Sequence, residues 1–458
     1  MDKNKRQPRG RVWKWAISSL KVVFGVLAGG GLVALVRRLC TGGGRARRIN
    51  SYVVNGTKAL ELSKLARRLV PRGDVERVAL LGAQMEYNPR VNTSLSSQSI
   101  GPKRPLLCST FTVASEDSLD LLYANMRQLG GLCDWAVVFY QPPADSVVRA
   151  FRANLTETLG AVRVVLFDAA VDRLLLVQRF YHSPHSLDIG GASSSFLRHR
   201  KDSERLDNPR SWPFNSAAYP KPLLFLHLLP LLGQYQRVWL LDDDISLESF
   251  ELSKFLAISN CAFWPAAPPL VVQPMLHPTS KLYPFLSEKD WREEERRHGS
   301  KFLAVGTGFI EVQAPLLDSS FFSWFLRFLV VPMVAPLHVV GADWGFDDLF
   351  CTAAANFQYY SGRQGQQHRG EGPPGPSCAV VVGGSTMRHL DRGVLKAAIG
   401  KGTKWYLNHE MLAIVRETFP TMFHKGFLSL LASPINSTGR SLHQRAVEPL
   451  ATDCLLRY

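Results

Sequence analysis

The chain has 458 residues, 46% of them hydrophobic and 20% charged, and a net charge of +16. That composition excludes a disordered protein, and the length suits either one large α/β enzyme domain with a tail or two to three domains of roughly 150 residues. The charge does not mark a nucleic-acid face: residues 1–48 hold 12 Lys or Arg against Asp2 alone, while the other 410 residues carry 42 basic and 37 acidic side chains.

Residues 1–15 form a basic tail expected to face the cytosol, and residues 16–36 are the only strongly apolar stretch of membrane length. A spanning helix needs about 20 such residues. Lys21 lies close enough to the start of the segment to snorkel, and Trp13 and Trp15 suit an interfacial belt. A cleaved signal peptide is the competing reading, but Arg37 and Arg38 directly after the apolar core favour a retained anchor. The basic residues on the two flanks nearly balance, so the positive-inside rule hardly decides orientation. Sequons at Asn55, Asn92, Asn154 and Asn436 lie downstream. They favour a single-pass protein of the Golgi or ER membrane with a lumenal catalytic domain; an organellar membrane is the alternative. Seven cysteines are scattered without a C-x-x-C pair; the six beyond Cys40 either pair in an oxidising lumen or stay as buried thiols.

Residues 37–104 are rich in Arg, Gly, Ser, Asn and Pro and read as a stem, with one helical stretch near Lys58–Leu69. From Pro105 the pattern predicts an α/β domain over 105–425, followed by a tail over 426–458. Short β-rich runs at Phe111–Val113, Trp135–Tyr140 and Val162–Phe167 alternate with helical segments at Asp117–Leu129 and Ala144–Leu159. That alternation predicts a Rossmann-like, mostly parallel sheet flanked by helices. Residues 189–218 form a polar loop and 361–377 a low-complexity insertion. Leu223–Leu232 is an apolar helix candidate running into the strand Arg237–Leu241, which delivers Asp242, Asp243 and Asp244.

A strand ending in three acids places carboxylates at the carboxyl edge of a parallel sheet, where open α/β folds bind ligands. Adjacent acids repel unless a cation or solvent offsets them. Period-two alternation puts Asp242 and Asp244 on one side as a metal pair, leaving Asp243 as a substrate-side neighbour. Oxygen ligands favour Mg²⁺ or Mn²⁺. The competing reading is a solvated acid cluster capping a helix that starts near Ser246 or Leu247.

Trp239-Leu-Leu-Asp-Asp-Asp-Ile245, with Phe250 beyond, resembles the Trp-Asp-Glu-Asp-Leu region of a plant and algal family designated domain of unknown function 707. Val272-Gln-Pro274, Thr307–Pro315, Asp343-Trp-Gly-Phe-Asp347 through Cys351, and Val380–His389 resemble further blocks of that family, in its order. The resemblance covers about residues 105–395. It implies a GT-A-like glycosyltransferase taking a nucleotide-sugar donor and a glycan or other hydroxyl acceptor. Asp243 stands where the family has Glu.

Within these blocks Asp347 is the expected general base, aligned with the family's Trp-Gly-x-Asp element, against a role capping the helix that follows. Trp344 would stack on a sugar, with Asp343 beside it. Glu311 would line the acceptor pocket, against a surface strand-end acid. His389 would complete the metal site, against a structural histidine. Lys221 would meet a diphosphate, against a solvated lysine. Two other functions use the same residues: a haloacid-dehalogenase-like phosphatase phosphorylated on Asp242, and a non-catalytic, membrane-anchored carbohydrate-binding protein.

Overall fold

In a computed structural model of the chain, the described residues are 58–71, 74–86, 103–112, 115–140, 145–159, 163–168, 220–260, 268–277, 304–342, 346–361, 377–390 and 401–423. The chain divides into Met1–Leu60 and Glu61–Tyr458, and beyond the first turn of α1 (58–69) everything described belongs to the second unit. The expected anchor 16–36, loop 189–218, tail 426–458 and all but the ends of the insertion 361–377 lie outside the described residues.

The second unit is built on a nine-stranded mixed sheet in the order β3-β2-β1-β4-β8-β6-β9-β5, with β7 also on β9. The strands are β1 (Arg104–Thr112), β2 (Asp134–Phe139), β3 (Val164–Asp168), β4 (Tyr235–Asp242), β5 (Ile245–Ser246), β6 (Val271–His277), β7 (Ala304–Gly306), β8 (Leu316–Asp318) and β9 (Cys378–His389). Strands β3, β2, β1 and β4 are parallel neighbours, as are β6 and β9. The antiparallel pairings belong to the short strands β5, β7 and β8. The expected parallel half is therefore present, and short reversed strands extend it.

The central strands are buried on both faces, so they read as apolar runs instead of alternating ones. On one face, Trp135, Val137, Trp239 and Leu241 pack under α3 (Glu116–Leu129), α4 (Asp145–Leu159) and α6 (Leu252–Ser259). Trp239 anchors this layer, its ring 5.3 Å from Phe250 and 5.6 Å from Phe255. On the other face Phe111 meets Phe225 of α5 (Lys221–Leu232) at 5.2 Å, and Phe225 meets Phe322 of α7 (Ser319–Val340) at 5.8 Å. Two helical layers thus sandwich the sheet.

Helix α7 is 22 residues long and, among the described residues, the one helix long and apolar enough to cross a membrane. Residues 16–36 are therefore not the only apolar stretch of that length. Most of α7 is buried, which is how the core helix of a large domain reads in sequence. Asp318 caps its start by accepting from the Ser320 and Phe321 N–H groups, and Gly341, at φ 66°, closes its end with its N–H on the Leu337 carbonyl.

Part of the expected stem belongs to this folded unit. Helix α2 (Val75–Glu86) lies on α7, where Trp324 Nε1 donates to the Ala79 carbonyl at 2.7 Å. Arg67 of α1 pairs with Glu410 and Glu417 of α9 (Lys401–Thr418), and the Glu76 carboxylate accepts from the Thr421 and Met422 N–H groups. The sequence hides this because the buried faces of α1 and α2 use Ala66, Ala79 and Ala83 as much as large apolar residues. A disulfide joins Cys351 of α8 (Phe346–Tyr360) to Cys378 of β9, and Ser377 Oγ donates to Gln358 Oε1 at 2.6 Å. These contacts tie together the two ends of the low-complexity insertion.

Candidate functional site

Strand β4 lies in the middle of the sheet and delivers Asp242 at its carboxyl end; Asp243 and Asp244 form the turn into β5. The next helix, α6, begins only at Leu252, and its N-cap position, Glu251, makes no side-chain capping bond. The triplet therefore does not cap that helix.

The three carboxylates face different partners. Asp242 accepts from Lys221 Nζ with both oxygens, at 2.8 and 2.6 Å. Lys221 opens α5, and its half-buried ammonium is not a solvated surface charge: it is a counter-ion of Asp242. Burial raises the Asp242 carboxyl above its usual range more than Lys221 lowers it. Asp244 turns to His389, whose Nε2 lies 3.2 Å from Asp244 Oδ2. Burial pushes the Asp244 carboxyl up, but His389 and Lys221 outweigh it and hold the group below the usual range. Asp243 points toward α3, with Ser118 Oγ 3.5 Å from its Oδ2. Two neighbouring acids are thus driven in opposite directions, the pattern expected where one fold sets separate roles.

His389 closes β9 opposite Ile245 of β5, and the Leu390 N–H donates to the Asp244 carbonyl at 2.8 Å. This short antiparallel pairing brings together residues 145 positions apart, which no local pattern announces.

Glu311 lies in the loop between β7 and β8 and is 6% exposed, so it is not a surface strand-end acid. Burial pushes its carboxyl up to about 7; His389 and Lys221 pull it down, while Asp347 and Asp242 push it further up. The same electrostatics place Glu311 within the field of both aspartate partners. Its backbone N–H donates to Gln273 Oε1 of β6 at 3.0 Å. Asp347 lies in the first turn of α8, half-buried, where a helix N-terminus also favours its charge. Asp343 and Trp344 lie outside the described residues.

Sequence reasoning missed three residues here. Tyr140 follows β2, and its phenol is pushed well up by burial and by Asp243, Asp242 and Asp244. Gln273 is 1% exposed, and its Nε2 has no hydrogen-bond partner among the described residues. Asn125 of α3, also buried, bonds the strand that follows the aspartates. Tyr140 stands at a parallel-strand end, a position that sequence does mark; Gln273 falls within the Val272-Gln-Pro274 block without a role having been assigned to it, and Asn125 carries no such signal.

Among the described residues no group of three or more His, Cys, Asp and Glu converges on one point. What does converge is a carboxylate and an imidazole, Asp244 and His389. A divalent ion of the Mg²⁺ or Mn²⁺ type commonly takes one or two protein ligands and completes its shell with water and substrate phosphates. The pair fits that use, and the imidazole favours Mn²⁺ over Mg²⁺.

No family model matches the chain, and no curated protein matches it. Several solved structures do, and those that follow are all glycosyltransferases. A mannosyltransferase from Pyrobaculum calidifontis, in complex with GDP-Man and Mn²⁺, is 14% identical over 86% of this chain and 92% of its own, with a TM-score of 0.28. Mouse xyloside xylosyltransferase 1, in its apo form, is 11% identical over 49% and 72%, at 0.25. The mannosyltransferase Ktr4p of S. cerevisiae is 11% identical over 61% and 78%, at 0.24. At such TM-scores these neighbours carry no argument about activity, which rests on the site itself.

Proposed function

We propose that this chain is a GT-A-like, metal-assisted glycosyltransferase, moving a sugar from a nucleotide-sugar donor to a hydroxyl acceptor. In this reading residues 16–36 hold it in a Golgi or ER membrane with the catalytic unit in the lumen. The observation that carries the proposal is the Asp244–His389 pair at the carboxyl edge of the sheet, flanked by the Lys221–Asp242 ion pair and by a buried Glu311.

Each residue then has a role set by its surroundings. Asp244 and His389 would hold the divalent ion, which when bound offsets the charge of the departing nucleoside diphosphate. Asp242 supports this indirectly, with Lys221 fixing its carboxylate. Asp243 and Tyr140 border the donor. Glu311, with a carboxyl at about 7, is matched to take a proton from an acceptor hydroxyl near neutral pH. Asp347 is the neighbouring charge that helps keep Glu311 basic. This reading places the base on Glu311 in preference to Asp347, because burial tunes the first.

Isothermal titration of the purified protein with UDP and with GDP, each with and without Mn²⁺, tests the proposal. Mn²⁺-dependent nucleotide binding that disappears in Asp244→Ala is expected. Failure of the wild-type protein to bind either nucleotide with the metal would refute it.

A further inference from the structure

Helix α3 shows an unusual polar line along its buried face. Ser118 and Asn125 are seven residues apart, so they share a face with Leu122 and Leu129, and all four are buried. Ser118 reaches Asp243, and Gln128 Nε2 reaches the Phe250 carbonyl at 3.5 Å. Between them Asn125 makes the strongest contacts. Its Nδ2 donates to the Ile245 carbonyl at 2.8 Å, and its Oδ1 accepts from the Leu247 N–H at 2.9 Å. The two partners fix which way the amide points, because a carbonyl needs the NH₂ and an N–H needs the oxygen.

These bonds imitate a neighbouring strand. A side-chain carboxamide offers one donor and one acceptor, as a peptide unit does, and Asn125 spends both on residues flanking Ser246. Strand β5 is only two residues long and, among the described residues, pairs with β9 alone, Ile245 opposite His389 and Ser246 opposite Arg388. Its other side is held by Asn125. A two-residue strand has too few ladder bonds to fix its own position, and Asp244 is the residue directly before it. The Asp244–His389 separation thus depends on β5 being held from both sides.

We propose that Asn125 is a positioning residue that sets the Asp244–His389 geometry and, through it, the affinity of the site for a divalent cation. This rests on the metal-assisted reading above. Asn125 touches neither the ion nor the substrate; it acts through the main chain of Ile245 and Leu247.

The test is a titration with MnCl₂ alone, following binding by calorimetry, on wild type, Asn125→Ala, Asn125→Asp and a control, Ser259→Ala. Ser259 is also buried and donates to the Phe255 carbonyl at 2.7 Å; its neighbour Asn260 bonds Arg237, near the end of β4 opposite Asp242. Asn125→Ala is expected to weaken Mn²⁺ binding by about ten-fold or more, as loss of supporting hydrogen bonds does at metal sites. Asn125→Asp retains the acceptor for Leu247 but turns an acceptor toward the Ile245 carbonyl, so it also weakens binding. Ser259→Ala leaves affinity unchanged. A folded Asn125→Ala protein that binds Mn²⁺ like wild type, or a Ser259→Ala loss of equal size, overturns the role. A metal-free readout separates this from failure of the functional reading. The His389 imidazole resonances, assigned by their disappearance in His389→Gln, should shift in Asn125→Ala and Asn125→Asp but not in Ser259→Ala. If wild type binds no Mn²⁺ either alone or with UDP or GDP present, the functional reading falls, and these resonances alone decide the positioning role.

Discussion

Glu311→Gln removes a strongly perturbed carboxyl of the site without changing its shape. The Glu311 carboxyl stands at about 7 against an ordinary 4.5, because the side chain is almost wholly buried. The raised value means that the folded protein holds the proton more tightly than the unfolded chain does. Glu311 therefore favours the fold below about pH 4.5, and that contribution is lost as pH rises through about 7. The shift corresponds to about 3 kcal/mol at about 1.4 kcal/mol per unit. Glutamine cannot ionise, so Glu311→Gln should be more stable than wild type at about pH 8, by up to about 3 kcal/mol, and nearly equal to it at about pH 4. Urea denaturation of both proteins across that range measures the difference. Parallel pH profiles for the two proteins would show that Glu311 does not carry the strain of burial assigned to it. The same substitution should abolish transfer while leaving Mn²⁺-dependent nucleotide binding in place, since the base is spent on the acceptor.

Lys221→Met leaves the Asp242 carboxylate without its counter-ion and should cost about 1–3 kcal/mol; Lys221→Met with Asp242→Asn should cost less than the sum of the two single changes, measured by a double-mutant cycle. Cys351→Ser opens a disulfide spanning 27 residues and should lower stability by about 3–4 kcal/mol on the chain-entropy account, read by denaturation with and without reductant. Gly82→Ala places a Cβ 2.5 Å from the Phe328 ring, so thermal melting should show a loss of about 1–3 kcal/mol; an unchanged transition would mean that α2 does not pack on α7 as described. His389→Gln should weaken Mn²⁺ binding while leaving the melting transition within a few degrees of wild type, because β9 is long and the residue lies at its end.

The central strands were legible because burial on both faces demands apolar runs, and the runs at Phe111, Trp135 and Arg237–Leu241 report that demand directly. Helices α3 and α4 were legible within a residue or two, since one apolar face on a helix has a period that sequence displays. The short strands β5, β7 and β8 were not: two or three residues show no period, and their pairing with β9, β6 and β4 is made by distant chain. Helices α1 and α2 read partly as stem because small residues form much of their contact. Helix α7 shows the opposite ambiguity, since sequence cannot distinguish apolar surface destined for a core from apolar surface destined for lipid.

The site divides in the same way. Asp242, Asp243 and Asp244 follow a buried strand, and sequence alone determines that they emerge at its carboxyl edge, because strand direction and residue order are covalent. Only the tertiary structure decided what each one faces. Lys221 reaches Asp242 because α5 starts beside the end of β4, and His389 reaches Asp244 because β9 returns to pair with β5. Burial then sets the proton affinities of Asp242 and Glu311, and burial is a property of the packed chain, not of any segment of it.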